Sequence, residues 1–243
     1  MDSKLFDVRD QYTIYQHQEG LGIKFYTNSG NQPNVFLFLD KELRQGKVFF
    51  PREIEAEQNS DQLKKPGRTI VLNPFSSSLD QLLLINYLAK GRGVVLHSAG
   101  LAVGGRGWLF VGTSGAGKTT LTRLWEPTAA EVLSNDRIIV RRKLGDFWIY
   151  GTPWHSDTEV GSPKNAPLEK IFFLAQRPRN SLRQLTLMEA VSRLFVCCFP
   201  PFYDKEGMAF VLDFISQITA EVPCYELGFV PDSSAIDFIR GLA

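Results

Sequence analysis

The glycine-rich segment at residues 112–119 constrains the fold of this chain more than any other feature of its sequence. It has the spacing Gly112-x-x-x-x-Gly117-Lys118-Thr119 and directly follows the apolar residues 108–111. The apolar run predicts a buried strand, and the residues from Lys118 to about 125 predict a helix. A strand, a glycine-rich loop and a helix in this order are typical of domains with helices packed on a sheet. We therefore predict an α/β fold.

The same segment has the composition of a phosphate-binding loop. Glycines let backbone N–H groups turn toward one oxyanion, and the following helix N-terminus adds a positive dipole. Lys118 is expected to reach the β- and γ-phosphates, and the Thr119 hydroxyl to bind Mg²⁺. The predicted ATP-binding residues are Gly112, Thr113, Ser114, Gly115, Ala116, Gly117, Lys118, Thr119 and Thr120. The alternative is a glycine-rich turn with an incidental lysine.

The chain divides by pattern into two predicted regions. Residues 1–90 form a β-rich N-terminal region, with strands at 13–15, 23–26, 35–39, 48–50 and 69–72, a polar loop at 55–68, and a linking helix at 79–90 capped by Ser78. Residues 91–243 form a nucleotide-binding catalytic domain. Its strands are predicted at 94–97, 101–103, 108–111, 131–133, 138–142, 147–150, 170–174 and 224–230. Helices are predicted at 118–125, from the capping box at 186–189 to 195, at 205–220, and after 232. The sheet should be mixed.

Composition excludes several classes of partner. Lys and Arg total 27 against 26 for Asp and Glu, so no overall field draws the chain to nucleic acid or anionic lipid. No run approaches the roughly 18 apolar residues of a membrane span. Cys197, Cys198 and Cys224 lack metal-ligand spacing and are expected to be reduced thiols. The expected location is cytoplasmic.

Motifs flanking the loop narrow the function. A Leu-Ser-Gly-Gly-Gln signature and an Asn-Lys-x-Asp motif, which mark ABC-type ATPases and small GTPases, do not occur. Instead, Leu96-His-Ser-Ala-Gly100 precedes the loop, and Leu133-Ser-Asn-Asp136 follows it. With residues 151–155 and 166–174, these motifs resemble the HPr kinase/phosphorylase family and its shorter relatives over roughly residues 91–175.

This resemblance implies a mixed-sheet P-loop kinase fold related to ATP-dependent phosphoenolpyruvate carboxykinase. It also implies that His97, Lys118, Thr119 and Asp136 are site residues, and it makes a homo-oligomer plausible. Residues 1–90 do not match the N-terminal domain of true HPr kinases. The first acid of the family's Asp-Asp pair, which is assigned to proton transfer, is replaced here by Asn135.

An amide cannot take up a proton at neutral pH, so His97 becomes the better candidate to accept the acceptor's proton. Asp136 matches the second acid and is expected to bind Mg²⁺. The alternatives are a histidine packed at a strand end and an aspartate that caps a turn. His155, on a predicted loop, is either a contact to substrate or γ-phosphate or a solvent-exposed loop histidine. Arg177 and Arg179 are either a phosphate clamp or a solvated charge cluster.

The leading hypothesis is an ATP- and Mg²⁺-dependent kinase that phosphorylates a hydroxyl, of serine type, on a protein, a peptide or a small molecule. Asn135 motivates a second hypothesis, a regulatory nucleotide-binding module or pseudokinase. A simple ATPase is the third.

Overall fold

The computed structural model describes residues 3–9, 11–18, 20–26, 35–50, 79–154 and 161–241. They belong to two compact units, residues 1–87 and 88–243. The first contains a small antiparallel sheet and the second a mixed sheet with helices. The polar loop predicted at 55–68, the strand at 69–72 and the Ser78 cap lie outside the described residues.

The first unit contains a five-stranded antiparallel sheet in chain order. Its strands are β1 (Ser3–Val8), β2 (Tyr12–His17), β3 (Gly20–Phe25), β4 (Val35–Leu39) and β5 (Gly46–Phe49). Ile14 pairs with Ile23, and Ile23 pairs with Leu37, so these three buried side chains form a row across one face of the sheet. The helix α1 (Leu79–Leu88) follows.

Four predicted strands of this sheet are confirmed, and β1 was missed. Only two of its six side chains are partly shielded from solvent, so the strand presents no apolar face that a period of two could reveal. Its position follows from pairing with β2.

The second unit is built on an eight-stranded mixed sheet. Its strands are β6 (Val94–Val103), β7 (Arg106–Val111), β8 (Glu131–Ser134), β9 (Arg137–Lys143), β10 (Asp146–Tyr150), β11 (Asn165–Gln176), β12 (Ser181–Gln184) and β13 (Cys224–Phe229). The order is β10-β9-β6-β7-β11-β13-β12, with β8 beside β6. β7, β11 and β13 run parallel, whereas the other pairings are antiparallel.

Two apolar clusters use alternate residues of the central strands, as the period of a strand requires. Leu109 and Ile171 belong to a cluster that includes α3 (Leu187–Val196) and α4 (Lys205–Glu221). Phe110 and Phe172 belong to the other, which includes α2 (Lys118–Trp125) and α5 (Ser234–Arg240). The sheet therefore has helices on both faces.

The capping box predicted at the start of α3 is confirmed. The Thr186 side chain accepts from the backbone N–H of Glu189, and the Glu189 carboxylate accepts from the backbone N–H of Thr186. This bond, with others from the Thr186 hydroxyl and Arg183, lowers the pKa of Glu189 to about 2. Among the described helices, none is long and apolar enough to cross a membrane.

Two predictions for the sheet need correction. The strands expected at 94–97 and 101–103 are one continuous strand, β6, whose middle residues are small and buried. A Cβ on Gly100 would lie 2.5 Å from the Ile138 side chain, so the glycine permits close packing rather than a turn. β12 was missed because Ser181–Gln184 is a polar edge strand without an apolar face.

Candidate functional site

The glycine-rich loop joins β7 to α2, as its flanking residues predicted. Gly115 and Gly117 have φ values of +80° and +99°, in the left-handed region that glycine adopts most readily. Gly117 is the N-cap of α2 and supplies no side-chain cap. The N–H groups of the first helical turn are therefore not covered by a capping side chain.

Close contacts also require glycine at both ends of the loop. A Cβ on Gly112 would lie 2.5 Å from the Ala116 Cβ, across the curl of the loop. A Cβ on Gly117 would lie 2.7 Å from the ring of Phe229, which is 5% exposed in the core. The loop thus closes tightly on itself and on β13.

Lys118 lies inside this loop. Its Nζ donates to the carbonyl oxygens of Gly112 at 2.7 Å and Thr113 at 3.1 Å. Burial lowers the pKa of Lys118, while Cys197 and Asp136 act in the opposite direction. The loop therefore surrounds an ammonium group that is almost withdrawn from solvent.

Asp136 follows β8 in a tight turn built on Ser134. The Ser134 hydroxyl donates to the Trp154 carbonyl at 3.0 Å and accepts from the backbone N–H groups of Asp136 and Arg137, each at 3.3 Å. The Asp136 carbonyl accepts from the backbone N–H of Ser98 at 3.0 Å. These bonds hold the Asp136 backbone against β6.

The pairing of β6 with β9 brings three functional groups together. His97 is the register partner of Arg137, and His97 Nε2 lies 3.9 Å from Asp136 Oδ1. The other carboxylate oxygen of Asp136 accepts from Arg137 Nη1 at 2.5 Å. The Arg137 guanidinium lies over the Phe199 ring, 5.1 Å from its centroid. An acid, a base and a cation therefore share one partly buried corner.

The surroundings of His97 lower the pKa of its imidazole. Burial is the largest cause that lowers its pKa, the charges of Lys118 and Arg137 lower it further, and only Asp136 raises it. A neutral imidazole can accept a proton, whereas an imidazolium cannot. The influence of Lys118 on this pKa also indicates that His97 and the loop lie within electrostatic reach of each other.

The other predicted site residues lie in different surroundings, and one of them is not described by the structure. Asn135 is 1% exposed, so its amide is withdrawn from solvent. Thr119 and Thr120 lie in the first turn of α2. His155 lies outside the described residues. Arg177 pairs with Glu226, with Nη2 3.3 Å from Oε1.

Sequence reasoning missed Arg137 and Gln176. Arg137 forms an ion pair with Asp136 and lies opposite His97 on the neighbouring strand. No local sequence pattern reveals the register between two strands. Gln176, the last residue of β11, donates from Nε2 to the Gly115 carbonyl at 2.9 Å. The one sequence signal for a role of Gln176 in the site was its position near the end of a predicted strand.

Two side chains at the candidate site, Thr119 and Asp136, carry oxygen donors. Within the described part of the chain, no group of three or more His, Cys, Asp or Glu side chains converges on a metal position. Thr119 and Asp136 offer a hydroxyl and a carboxylate, which are hard oxygen ligands that Mg²⁺ accepts.

Among the comparisons with known proteins, only the search of solved structures gave matches. No protein-family model matches the chain, and no curated protein matches it. Matching solved structures include the Hpr(Ser) kinase/phosphatase from Coxiella burnetii, with 9% identity and a TM-score of 0.34. The match covers 61% of this chain and 95% of that one.

Gly115 and Gly117, the loop glycines with a left-handed backbone, should differ in their tolerance of a side chain. Alanine at either position must adopt a left-handed conformation, which costs about 1–2 kcal/mol. Gly117→Ala also forces its Cβ against Phe229, whereas a Cβ on Gly115 meets nothing within 4 Å. We expect Gly117→Ala to lower the free energy of unfolding more than Gly115→Ala, measured by chemical denaturation. Equal losses would show that the Phe229 contact relaxes freely.

Proposed function

We propose that this chain is an ATP- and Mg²⁺-dependent kinase that transfers the γ-phosphate to a hydroxyl group. One observation carries the proposal: Lys118 is buried inside a glycine-rich loop, and His97, whose pKa is lowered by burial and by the Lys118 charge, lies 3.9 Å from Asp136. This arrangement combines a phosphate-binding cation with a proton acceptor and a potential metal ligand.

The residues of the loop fit a nucleoside triphosphate. Left-handed glycines and an uncapped first turn of α2 offer backbone N–H groups to phosphate oxygens. Lys118 would exchange its bonds to the Gly112 and Thr113 carbonyls for bonds to the phosphates. Because the ammonium is already desolvated and held, little reorganisation is needed when charge develops on the transferred group.

Thr119 and Asp136 are the residues that would hold Mg²⁺. Mg²⁺ keeps several waters and usually takes one or two carboxylates together with the substrate phosphates, in agreement with this small donor set. When bound, it supplies positive charge that neutralises the phosphates. Asp136 is paired with Arg137, which orients the carboxylate.

His97 is proposed to handle the proton. The acceptor oxygen forms a bond to the γ-phosphorus, the bond from that phosphorus to the β,γ-bridging oxygen breaks, and ADP leaves. Nε2 of neutral His97 takes the hydroxyl proton. Phosphoryl transfer passes through a loose transition state that depends mainly on positioning and charge neutralisation, so a strong base is not required. The acceptor class is a hydroxyl of serine type on a protein, a peptide or a small molecule.

A second candidate function is a regulatory module that binds nucleotide without turning it over. The buried amide of Asn135 favours it, because no proton can be taken up at that position. Such a module would gain thermal stability with Mg²⁺-ATP but release no ADP.

Lys118→Ala should lower phosphoryl transfer at least about 100-fold, because one preorganised charge at the transferred group is lost. ADP formation and product phosphorylation with Mg²⁺-ATP and a serine-containing peptide library are the measurements. Lys205→Ala, which removes an exposed lysine at the start of α4, is the matched control and should leave transfer unchanged. Equal turnover in wild type and Lys118→Ala would refute the kinase proposal.

His97 should produce an acid limb in the pH profile of transfer. The folded pKa lies below the ordinary value of about 6.5. Activity should therefore persist somewhat below that pH and fall as the imidazole becomes protonated. His97→Gln should abolish this limb and lower kcat about 100-fold, while the Kd for ATP changes little. His17→Gln makes the same change in the other unit and should keep the wild-type profile. An unchanged acid limb in His97→Gln would exclude His97 as the proton acceptor.

Asn135→Asp separates the two candidate functions. A carboxylate at this buried position would be desolvated and would repel the phosphates, so transfer by a working kinase adapted to the amide should fall. Asn165→Asp, at an exposed position, is the control for the chemical change. A large gain of transfer in Asn135→Asp would instead favour a wild-type protein that serves as a binding module.

A further inference from the structure

A cavity of about 500 Å³ opens beside the glycine-rich loop. It is lined by residues 176–178, by Phe229 and Pro231, and by Gly117 and Thr120. The volume lies in the range of about 300–1,000 Å³ that is typical of small-molecule sites. Gly117 and Thr120 belong to the proposed phosphate site, so the cavity is continuous with it.

The parallel strands explain why the cavity lies there. β7 runs parallel to β11, and β11 to β13, so their carboxyl ends share one edge of the sheet. β7 ends at the loop, β11 at Gln176 and β13 at Phe229. Gln176 also donates to the Gly115 carbonyl, which fixes the cavity wall to the loop. Ligands of α/β sheets commonly bind at the carboxyl ends of parallel strands.

The lining offers flat apolar surfaces together with a few polar groups. Phe229 is almost fully buried, whereas Pro178 and Pro231 are exposed. The Gln176 side-chain amide has an acceptor as well as the donor used by the loop. Such a surface suits a planar heterocycle with polar edges better than it suits an anion.

Arg177 has a geometry suited to stacking. A Cβ on Gly228 would lie 2.6 Å from Arg177 Cγ, so this glycine gives room for the arginine stem. One edge of the guanidinium pairs with Glu226, which is also paired with Arg183 and Arg193. Glu226 holds one edge of the Arg177 guanidinium, while the guanidinium faces remain available for contact with a planar ring. The edge that pairs with Glu226 is not open to a phosphate.

We propose that this cavity binds the purine base of the nucleotide, with the Arg177 guanidinium stacked on the base. This inference rests on the proposed function, because the phosphates must occupy the loop for the base to reach the cavity. Thr120, exposed in the first turn of α2, lies between the phosphate loop and the base. The base thus supplies affinity that is separable from that of the phosphates.

The test compares Mg²⁺-ATP with Mg²⁺-tripolyphosphate, which lacks base and ribose, by calorimetry on the full chain. Arg177→Ala should weaken ATP binding about tenfold, the scale of one lost cation–π or stacking contact, and leave tripolyphosphate binding unchanged. The control is Arg179→Ala, which removes an exposed arginine two residues away and should affect neither ligand. Glu226 keeps two arginine partners in Arg177→Ala, so the variant should fold.

Several results would overturn the inference. Equal losses for both ligands would make Arg177 a phosphate contact, and no loss for either would exclude it from the site. If wild type binds both ligands equally and Lys118→Ala weakens the binding of both, the base pocket is wrong while the proposed phosphate site stands. If neither ligand binds in a manner that depends on Lys118, both proposals fail.

A second arm needs no substitution. Photolysis with 8-azido-ATP and Mg²⁺, followed by peptide mass spectrometry, should label residues 176–178 or 229–231, and excess ATP should suppress the label. Labelling confined to other segments would contradict the placement of the base.

Discussion

The parallel pairing of β7, β11 and β13 is the constraint on which the candidate site depends. Parallel strands end at the same edge of a sheet, so residues separated by more than a hundred positions along the chain meet there. The loop after Val111, the Gln176 amide and the Phe229 ring converge for this reason. Without the pairing, the glycine-rich loop would still form a turn, but Gln176 and Phe229 would not lie beside it.

A second level of organisation is electrostatic. Lys118, Asp136 and Arg137 act together on His97, and burial makes each of these charges more effective than it would be in water. Burial and the two cations lower the pKa of the imidazole, and Arg137 pairs with the Asp136 carboxylate. A base that remains neutral beside a desolvated ammonium is the physical basis of the proposed proton transfer. Nearby, Glu226 pairs with three arginines beside the cavity and holds them in place.

Local pattern predicted much of the fold because its signals are short in range. The capping box at Thr186 and Glu189, the apolar alternation of β7 and the glycine spacing after it each depend on neighbouring residues only. The edge strands β1 and β12 were not predicted, since most of their side chains face solvent and give too short a periodic signal. The small residues in the middle of β6 give little apolar signal, whereas in the fold Gly100 permits close packing against Ile138 within one continuous strand.

The sequence by itself determined the loop of residues 112–119, the strand before it and the helix after it, because a few adjacent residues set those backbone conformations. It also singled out His97 and Asp136 as candidates through the resemblance of their motifs. Only the tertiary structure decided that Arg137 faces His97, that Asn135 is buried and that Arg177 borders a cavity rather than the loop. These features depend on the register between distant strands, which is set by the packing of the whole sheet.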